Sequence, residues 1–127
     1  MSATLKALIV EDSEAIAERL VEMLSIPGRV EVFATATTET EAIAACNDRD
    51  IDLAIVDLQL AQGTGFGVIR RLRARSGNPI CIVVLTNHAV PALRMASMEA
   101  GADHFLDKSK DFAAVPRVVS ELIAARG

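Results

Sequence analysis

Four short apolar runs in this chain each end in a side chain that can handle a phosphoryl group. Leu8-Ile9-Val10 leads into Glu11-Asp12, and Leu53-Ala54-Ile55-Val56 leads into Asp57. Ile80 to Leu85 leads into Thr86, and Phe105-Leu106 leads through Asp107 into Lys108. Apolar runs of this length read as strands buried on both faces, as in a parallel sheet. The C-terminal ends of parallel strands share one edge, so three carboxylates, a hydroxyl and an ammonium would converge there. Carboxylates within a few ångströms of one another repel, and at neutral pH they need protons or a cation. A hard ion such as Mg²⁺ suits oxygen ligands. Asp57 is then the nucleophile candidate, because a carboxylate can take a phosphoryl group as an acyl phosphate. The metal and Lys108 would neutralise charge on the transferred oxygens, and Thr86 could donate its hydroxyl to one of them. Taken singly, Asp57 reads as a turn residue, Glu11-Asp12 as a helix cap, Lys108 as a surface charge and Thr86 as a strand former. Their joint placement at four strand ends is what points to chemistry.

The elements that must position these residues alternate strand and helix five times. Strands are expected over Leu5 to Glu11, Val30 to Ala34, Leu53 to Asp57, Ile80 to Leu85 and His104 to Lys108. The first helix starts at about Glu14 behind Asp12 or Ser13 as cap, with Ile16, Leu20, Met23 and Leu24 on one face, and Pro27-Gly28 turns the chain after it. Thr37 or Thr38 caps a second helix through about Cys46, and Thr38-Glu39-Thr40-Glu41 has the capping-box form. Asn47 to Asp50 is a loop. Gly63-Thr64-Gly65-Phe66-Gly67 reads as a flexible loop and helix entry, the helix running to about Arg75 before Gly77-Asn78-Pro79 breaks it. Pro91 suits the first turn of a fourth helix and Gly101 its left-handed C-cap. A fifth helix runs from about Asp111 to Arg126, with an irregular start at Pro116. Five such units predict an α/β fold: a doubly wound, five-stranded parallel sheet in a flavodoxin-like three-layer sandwich. Strand order 2-1-3-4-5 would make strands one and three neighbours, placing Glu11, Asp12 and Asp57 together at the switch point.

Composition agrees. The 127 residues, 51% apolar, suit one domain over 1–127 with a proper core. No apolar run approaches the ~18 residues of a membrane span, and the N-terminus shows no basic, cleavable leader. A cytoplasmic protein without membrane contact is the plain reading. Cys46 and Cys81 lack metal-type spacing, and Cys81 reads as a small buried hydrophobe. A net charge of −4 argues against nucleic acid binding by this chain alone, so Arg70, Arg71, Arg73 and Arg75 read as a solvated helix face.

Together, Leu-Ile-Val-Glu-Asp at 8 to 12, Ala-Ile-Val-Asp-Leu at 54 to 58, Val-Leu-Thr at 84 to 86 and Ala-Gly-Ala-Asp-His-Phe-Leu-Asp-Lys at 100 to 108 resemble the receiver domain of bacterial two-component response regulators. The resemblance covers essentially the whole chain, and with no output domain expected within 1–127 it reads either as a stand-alone receiver or as the N-terminal fragment of a longer regulator. It implies that Asp57 is the phosphoacceptor, and that Asp12 and Asp57 bind Mg²⁺ directly. It implies that Glu11 holds the ion through water and that the Gln59 backbone carbonyl completes the protein ligands. Thr86 and Phe105 look like the coupled switch pair, and Lys108 like the phosphate-pairing lysine. The implied donor is a phosphohistidine on a sensor histidine kinase or histidine phosphotransfer protein, and the implied output is binding to a downstream protein. The chain would not be an enzyme beyond catalysing its own phosphorylation and dephosphorylation. The expected docking face runs from the fourth helix through the last strand to the fifth helix, with Arg94, Met98, Glu99 and His104 as members.

Departures from the family pattern are visible. No proline follows the acceptor strand in Leu58 to Gly63, so a more mobile loop is expected. Lys108 precedes Ser109 where the family usually has proline, which leaves the cis or trans state of that bond open. Asn87 and His88 follow Thr86 and are expected to alter the phosphoryl lifetime, and Phe105 has no hydroxyl for switching. Three other classes compete. A nucleotide site at Gly63 to Gly67 lacks the Lys-Ser/Thr of a P-loop. A phosphatase would need a general acid just after Asp57, and Leu58 to Gln62 offers none. A receiver-shaped module that signals without phosphorylation is opposed by the complete set of site residues.

Overall fold

Alternation along the strands divides the apolar residues between two cores. A computed structural model of the chain describes residues 4–47, 49–75, 77 and 79–126. Its elements are β1 (Leu5–Val10), α1 (Glu14–Leu24), β2 (Val30–Ala36), α2 (Glu39–Cys46), β3 (Leu53–Val56) and α3 (Gly65–Arg73). They continue with β4 (Cys81–Thr86), α4 (Pro91–Ala100), β5 (His104–Asp107), a 3₁₀ turn (Phe112–Ala114) and α5 (Val115–Arg126). The five strands are parallel in the order β2-β1-β3-β4-β5. On one face Leu8, Val10, Ala54, Val56, Ile82 and Val84 pack with Val68, Ile69 and Leu72 of α3 and Ala42 and Cys46 of α2. On the other, Ile9, Leu53, Ile55, Val83 and Leu85 pack with Leu20 and Leu24 of α1 and Val115, Val118 and Val119 of α5. This is the expected doubly wound, flavodoxin-like sandwich, and period-two side-chain direction is its cause.

The element ends differ from the sequence expectation in an informative way. β1, β3 and β5 stop at Val10, Val56 and Asp107, one residue before Glu11, Asp57 and Lys108. Each of those polar residues sits just past its ladder, where the backbone turns and the side chain faces the sheet edge. β2 runs to Ala36 rather than Ala34, its register with β1 shifting between Ala7 and Leu8. β4 is displaced by one, Cys81 to Thr86, and α3 ends at Arg73 rather than Arg75. Asp48 of the expected loop and Asn78 of the expected break lie outside the described residues. Ser13 caps α1 by accepting the Ile16 N–H, and Thr38 caps α2 by accepting the Glu41 N–H. The capping box is incomplete, because Glu41 turns back to Thr37, accepting both its N–H and its hydroxyl at 2.8 Å. Pro116 does disturb the helix start, since a separate 3₁₀ turn precedes α5. Gly101 ends α4 at φ 119°.

Cys81, expected as a small buried hydrophobe, packs half-buried against the core on the α1 and α5 face. Burial first, then the nearby Asp103 charge, pushes its thiol up to about 11. Against the ordinary value of 9.0 that shift leaves about a hundredfold less thiolate at pH 8. Cys81 should therefore alkylate about a hundredfold more slowly there than a free peptide thiol, gaining tenfold per pH unit up to about 11. Mass-resolved iodoacetamide labelling across pH 7 to 11 checks this, and labelling at the peptide rate at pH 8 would contradict it.

Candidate functional site

The register brings the site together before any side chain is considered. Val10 of β1 and Val56 of β3 are partners, and the Asp57 N–H donates to Val10 O at 2.9 Å. The Glu11 N–H donates to Ala36 O at 2.9 Å, so Glu11 leaves β1 beside the end of β2. Thr86 pairs with Asp107 across β4 and β5, and the Lys108 N–H donates to Thr86 O at 2.8 Å. Four adjacent strand ends thus deliver Glu11, Asp12, Asp57, Thr86 and Lys108 to one edge.

Carboxylate oxygens of Glu11, Asp12 and Asp57 lie within 4.8 Å of one another. Glu11 and Asp57 are buried, and Asp12 is exposed at the rim. The Lys108 ammonium is also buried and bridges the inner pair, 2.6 Å from Glu11 Oε1 and 2.9 Å from Asp57 Oδ2. The second oxygens are held by backbone: Glu11 Oε2 accepts the Ser13 N–H at 3.0 Å, and Asp57 Oδ1 accepts the Gln59 N–H at 3.3 Å. Burial pushes the Glu11 carboxyl above its ordinary value, against the lowering effect of its hydrogen bonds from Lys108 and Ser13. For Lys108 burial acts downward, but hydrogen bonds and charge from Glu11 and Asp57 outweigh it and hold the ammonium protonated above the usual lysine range. One ammonium cannot balance three carboxylates, so an excess of negative charge faces the open side at Asp12. An all-oxygen, anionic, half-open cluster is the donor set that suits a hard divalent ion keeping part of its water shell.

Thr86 is fully buried, and its Oγ1 accepts the His88 N–H at 3.2 Å. Phe105 pairs in register with Val84, so it shares a sheet face with Thr86, two residues further along β4. It lines a groove of about 320 Å³ with Val90, Pro91, Arg94 and Lys110. The Lys108–Ser109 bond is trans, there being no cis peptide among the described residues. Lys108 reaches its partners nonetheless, because Asp107 ties down the turn after it: Asp107 Oδ1 accepts the Ser109 N–H and hydroxyl, at 2.8 and 2.6 Å. On the expected docking face Arg94, Met98 and Glu99 are exposed, whereas His104 is half-buried.

Two residues near the site escaped sequence reasoning. Gly65 is buried against the backbone of Asp57 and Leu58, and Glu39 reaches from α2 to the loop after Asp57. The spacing Gly63-x-Gly65-x-Gly67 is the available signal: it marks the helix entry, where α3 begins at Gly65, but not what packs against these glycines.

Five parallel strands in the order 2-1-3-4-5, with a carboxylate trio and a buried lysine at their carboxyl edge, define a flavodoxin-like α/β protein. The chain belongs to the response regulator receiver domain family, which it matches over residues 7–120. It is 36% identical over 112 residues to the photosynthetic apparatus regulatory protein RegA of Cereibacter sphaeroides, covering 87% of this chain and 59% of that one. A protein-glutamate methylesterase/protein-glutamine glutaminase of Pseudomonas fluorescens is 27% identical over 122 residues, covering 95% of this chain and 33% of the enzyme. The chain therefore spans less than two thirds of the length of either relative. Among solved structures, the receiver domain of a Pseudomonas aeruginosa sensor histidine kinase superposes with a TM-score of 0.78 at 25% identity, over 96% of this chain and 99% of that one. That receiver was solved with a magnesium ion coordinated in its active-site cleft. Among the described residues, no helix is long and apolar enough to cross a membrane.

Proposed function

We propose that this chain is a phosphorylation-driven switch in which Asp57 accepts a phosphoryl group from a histidine kinase or histidine phosphotransfer protein. The observation that carries this reading is the buried Lys108 ammonium bridging Glu11 and Asp57, with Asp12 beside them at the open rim. An Asp57 carboxylate oxygen forms the new bond to phosphorus while the bond to the donor's imidazole nitrogen breaks, and that nitrogen leaves with the electron pair. Lys108 is already within reach of the acceptor and pairs with a phosphoryl oxygen. Thr86 uses its oxygen on His88, which leaves its hydroxyl proton to donate to a second one. Asp12, Asp57, Glu11 and the Gln59 carbonyl are the residues that would hold Mg²⁺. When bound, the ion supplies charge neutralisation at the phosphoryl oxygens. The chain has no turnover beyond this self-directed chemistry, and its place of action is the cytoplasm, where a kinase phosphohistidine would meet it.

The signal leaves through protein contacts. Thr86 and Phe105 lie on one sheet face that leads to α4, where Met95 and Met98 on the helix and Val90 just before it are exposed. Reorientation of Phe105 would change that surface, which we assign to the downstream partner.

Incubation with acetyl phosphate and Mg²⁺ followed by intact-mass measurement tests the reading. A hydroxylamine-labile phosphoryl adduct that fails to form in excess chelator is the expected result. A folded protein that takes no adduct from acetyl phosphate or from phosphohistidine donors would instead be a binding module independent of phosphorylation.

A further inference from the structure

The loop from Leu58 to Thr64 contains no proline, so its own backbone chemistry does little to fix it. Yet it is tied at three points to the start of α2. The Ala61 N–H donates to Thr37 O at 3.1 Å, and the Glu39 N–H donates to Gln62 O at 3.0 Å. The third tie is a side chain: Glu39 Oε1 accepts the Thr64 N–H at 2.9 Å. Thr64 is the N-cap of α3, so this carboxylate also faces the positive end of that helix. Glycines make room for it. A Cβ on Gly63 would lie 2.5 Å from Glu39 Cβ, and one on Gly67 would lie 2.5 Å from Glu39 Cδ. Two glycines two residues either side of Gly65 thus form a seat for one carboxylate from another helix.

We propose that Glu39 is a positioning residue for the phosphorylation site, clamping the loop that orients Asp57 and Gln59 onto the first turn of α2. This rests on the reading of Asp57 as phosphoacceptor. The path from clamp to acceptor is short. The Gln59 N–H holds Asp57 Oδ1 at 3.3 Å, Gln59 and Thr64 form an antiparallel bridge, and the Gly65 N–H donates to Leu58 O at 3.0 Å. Releasing Thr64 loosens that bridge, and with it the backbone bond from Gln59 that orients the acceptor oxygen.

The test compares Glu39→Ala, Glu39→Gln and Thr38→Ala. In Glu39→Ala the Thr64 amide should exchange about tenfold faster, for loss of a charge-assisted hydrogen bond. Its phosphorylation by acetyl phosphate at fixed Mg²⁺ should slow about tenfold, because small misplacements of reacting groups are costly. Glu39→Gln keeps an acceptor oxygen and should stay within about twofold of the wild type in both readouts. Thr38→Ala removes the α2 cap beside the backbone bridge to Gln62 but keeps the Glu39 side chain, so it should lower stability and slow phosphorylation clearly less than Glu39→Ala does. A Glu39→Ala protein with wild-type exchange at Thr64 and a wild-type rate would overturn the proposal. So would equal slowing in Glu39→Ala and Thr38→Ala, which would make the effect one of stability alone. If the wild type itself takes no phosphoryl group, the acceptor reading fails, and exchange at Thr64 by itself decides whether Glu39 holds the loop.

Discussion

Asp57→Asn is expected to abolish the phosphoryl adduct completely while leaving the protein folded and, without Mg²⁺, at least as stable as the wild type. The first half follows from chemistry, since an amide oxygen is too poor a nucleophile to form the acyl phosphate. The second half follows from the charges. Asp57 has one attraction, to Lys108 at 2.9 Å, and two repulsions, from Glu11 and Asp12 with oxygens within 4.8 Å. Removing its charge lowers the cluster's excess of negative charge while Lys108 keeps its 2.6 Å contact with Glu11. An asparagine Oδ1 can still accept the Gln59 N–H, but its Nδ2 meets the Lys108 ammonium donor to donor, so Lys108 must turn fully to Glu11 and the amide to the neighbouring carboxylates.

Mg²⁺ then separates the two proteins. At ten times its dissociation constant, a ligand that binds only the folded state stabilises it by about 1.4 kcal/mol. The wild type should show that gain in a thermal melt, and Asp57→Asn should show much less at the same concentration. An adduct forming on Asp57→Asn at the wild-type rate would place the acceptor elsewhere. An equal Mg²⁺ response in the two proteins would remove Asp57 from the ligand set.

The sequence carried this cluster clearly because its logic needs little geometry. Buried parallel strands have one polar edge, and Glu11, Asp57, Thr86 and Lys108 stand at or just past the ends of four unbroken apolar runs. The strand order is the expected 2-1-3-4-5, and helices on both faces of a parallel sheet were equally legible from the alternation of strand and helix. The connections between elements were less so, because they depend on contacts between segments distant in sequence. The Glu41 side chain serves Thr37 rather than completing the capping box, a choice between adjacent partners that no pattern specifies. Arg73 reads as a solvated helix charge, yet it donates to Gly101 O at 2.6 Å and to Asp103 at 2.8 Å, joining α3 to the end of α4. Asp103 in turn accepts the Ile82 N–H at 2.8 Å, so this surface pair also fixes the entry of β5 against β4. The glycine-rich stretch marks the entry of α3 as its spacing predicts, but what packs against it is hidden for the same reason. A glycine required by packing looks identical in sequence to a glycine required by flexibility.

Gly65→Ala shows the difference and should be the most disruptive single-methyl change near the site. By helix propensity alone, alanine is the better residue by up to about 1 kcal/mol. Sterics point the other way. A Cβ at Gly65 would overlap the Asp57 carbonyl oxygen and lie 2.9 Å from Leu58 Cα and 3.0 Å from the Asp57 carbonyl carbon. These are backbone atoms at the foot of the acceptor, held by the Asp57 N–H to Val10 bond and the Gly65 N–H to Leu58 bond. No side-chain rotation can relieve the overlap, so either α3 must lift from the sheet or the acceptor loop must shift. Overpacking of this kind costs about 1–3 kcal/mol, which should appear as a lower denaturation midpoint with an unchanged slope. Phosphorylation of the folded fraction should slow by about ten- to a hundredfold, the scale for a displaced reacting group.

Gly28→Ala is the control. Gly28 has open space around it but a φ of 75°, so its cost is one of backbone conformation and lies far from the site. It should lose about 1 kcal/mol of stability and phosphorylate at the wild-type rate. Wild-type stability and rate in Gly65→Ala would mean that α3 and the Asp57 backbone have room for a methyl group between them. Equal slowing in both glycine variants would mean that the rate follows global stability rather than the position of the acceptor.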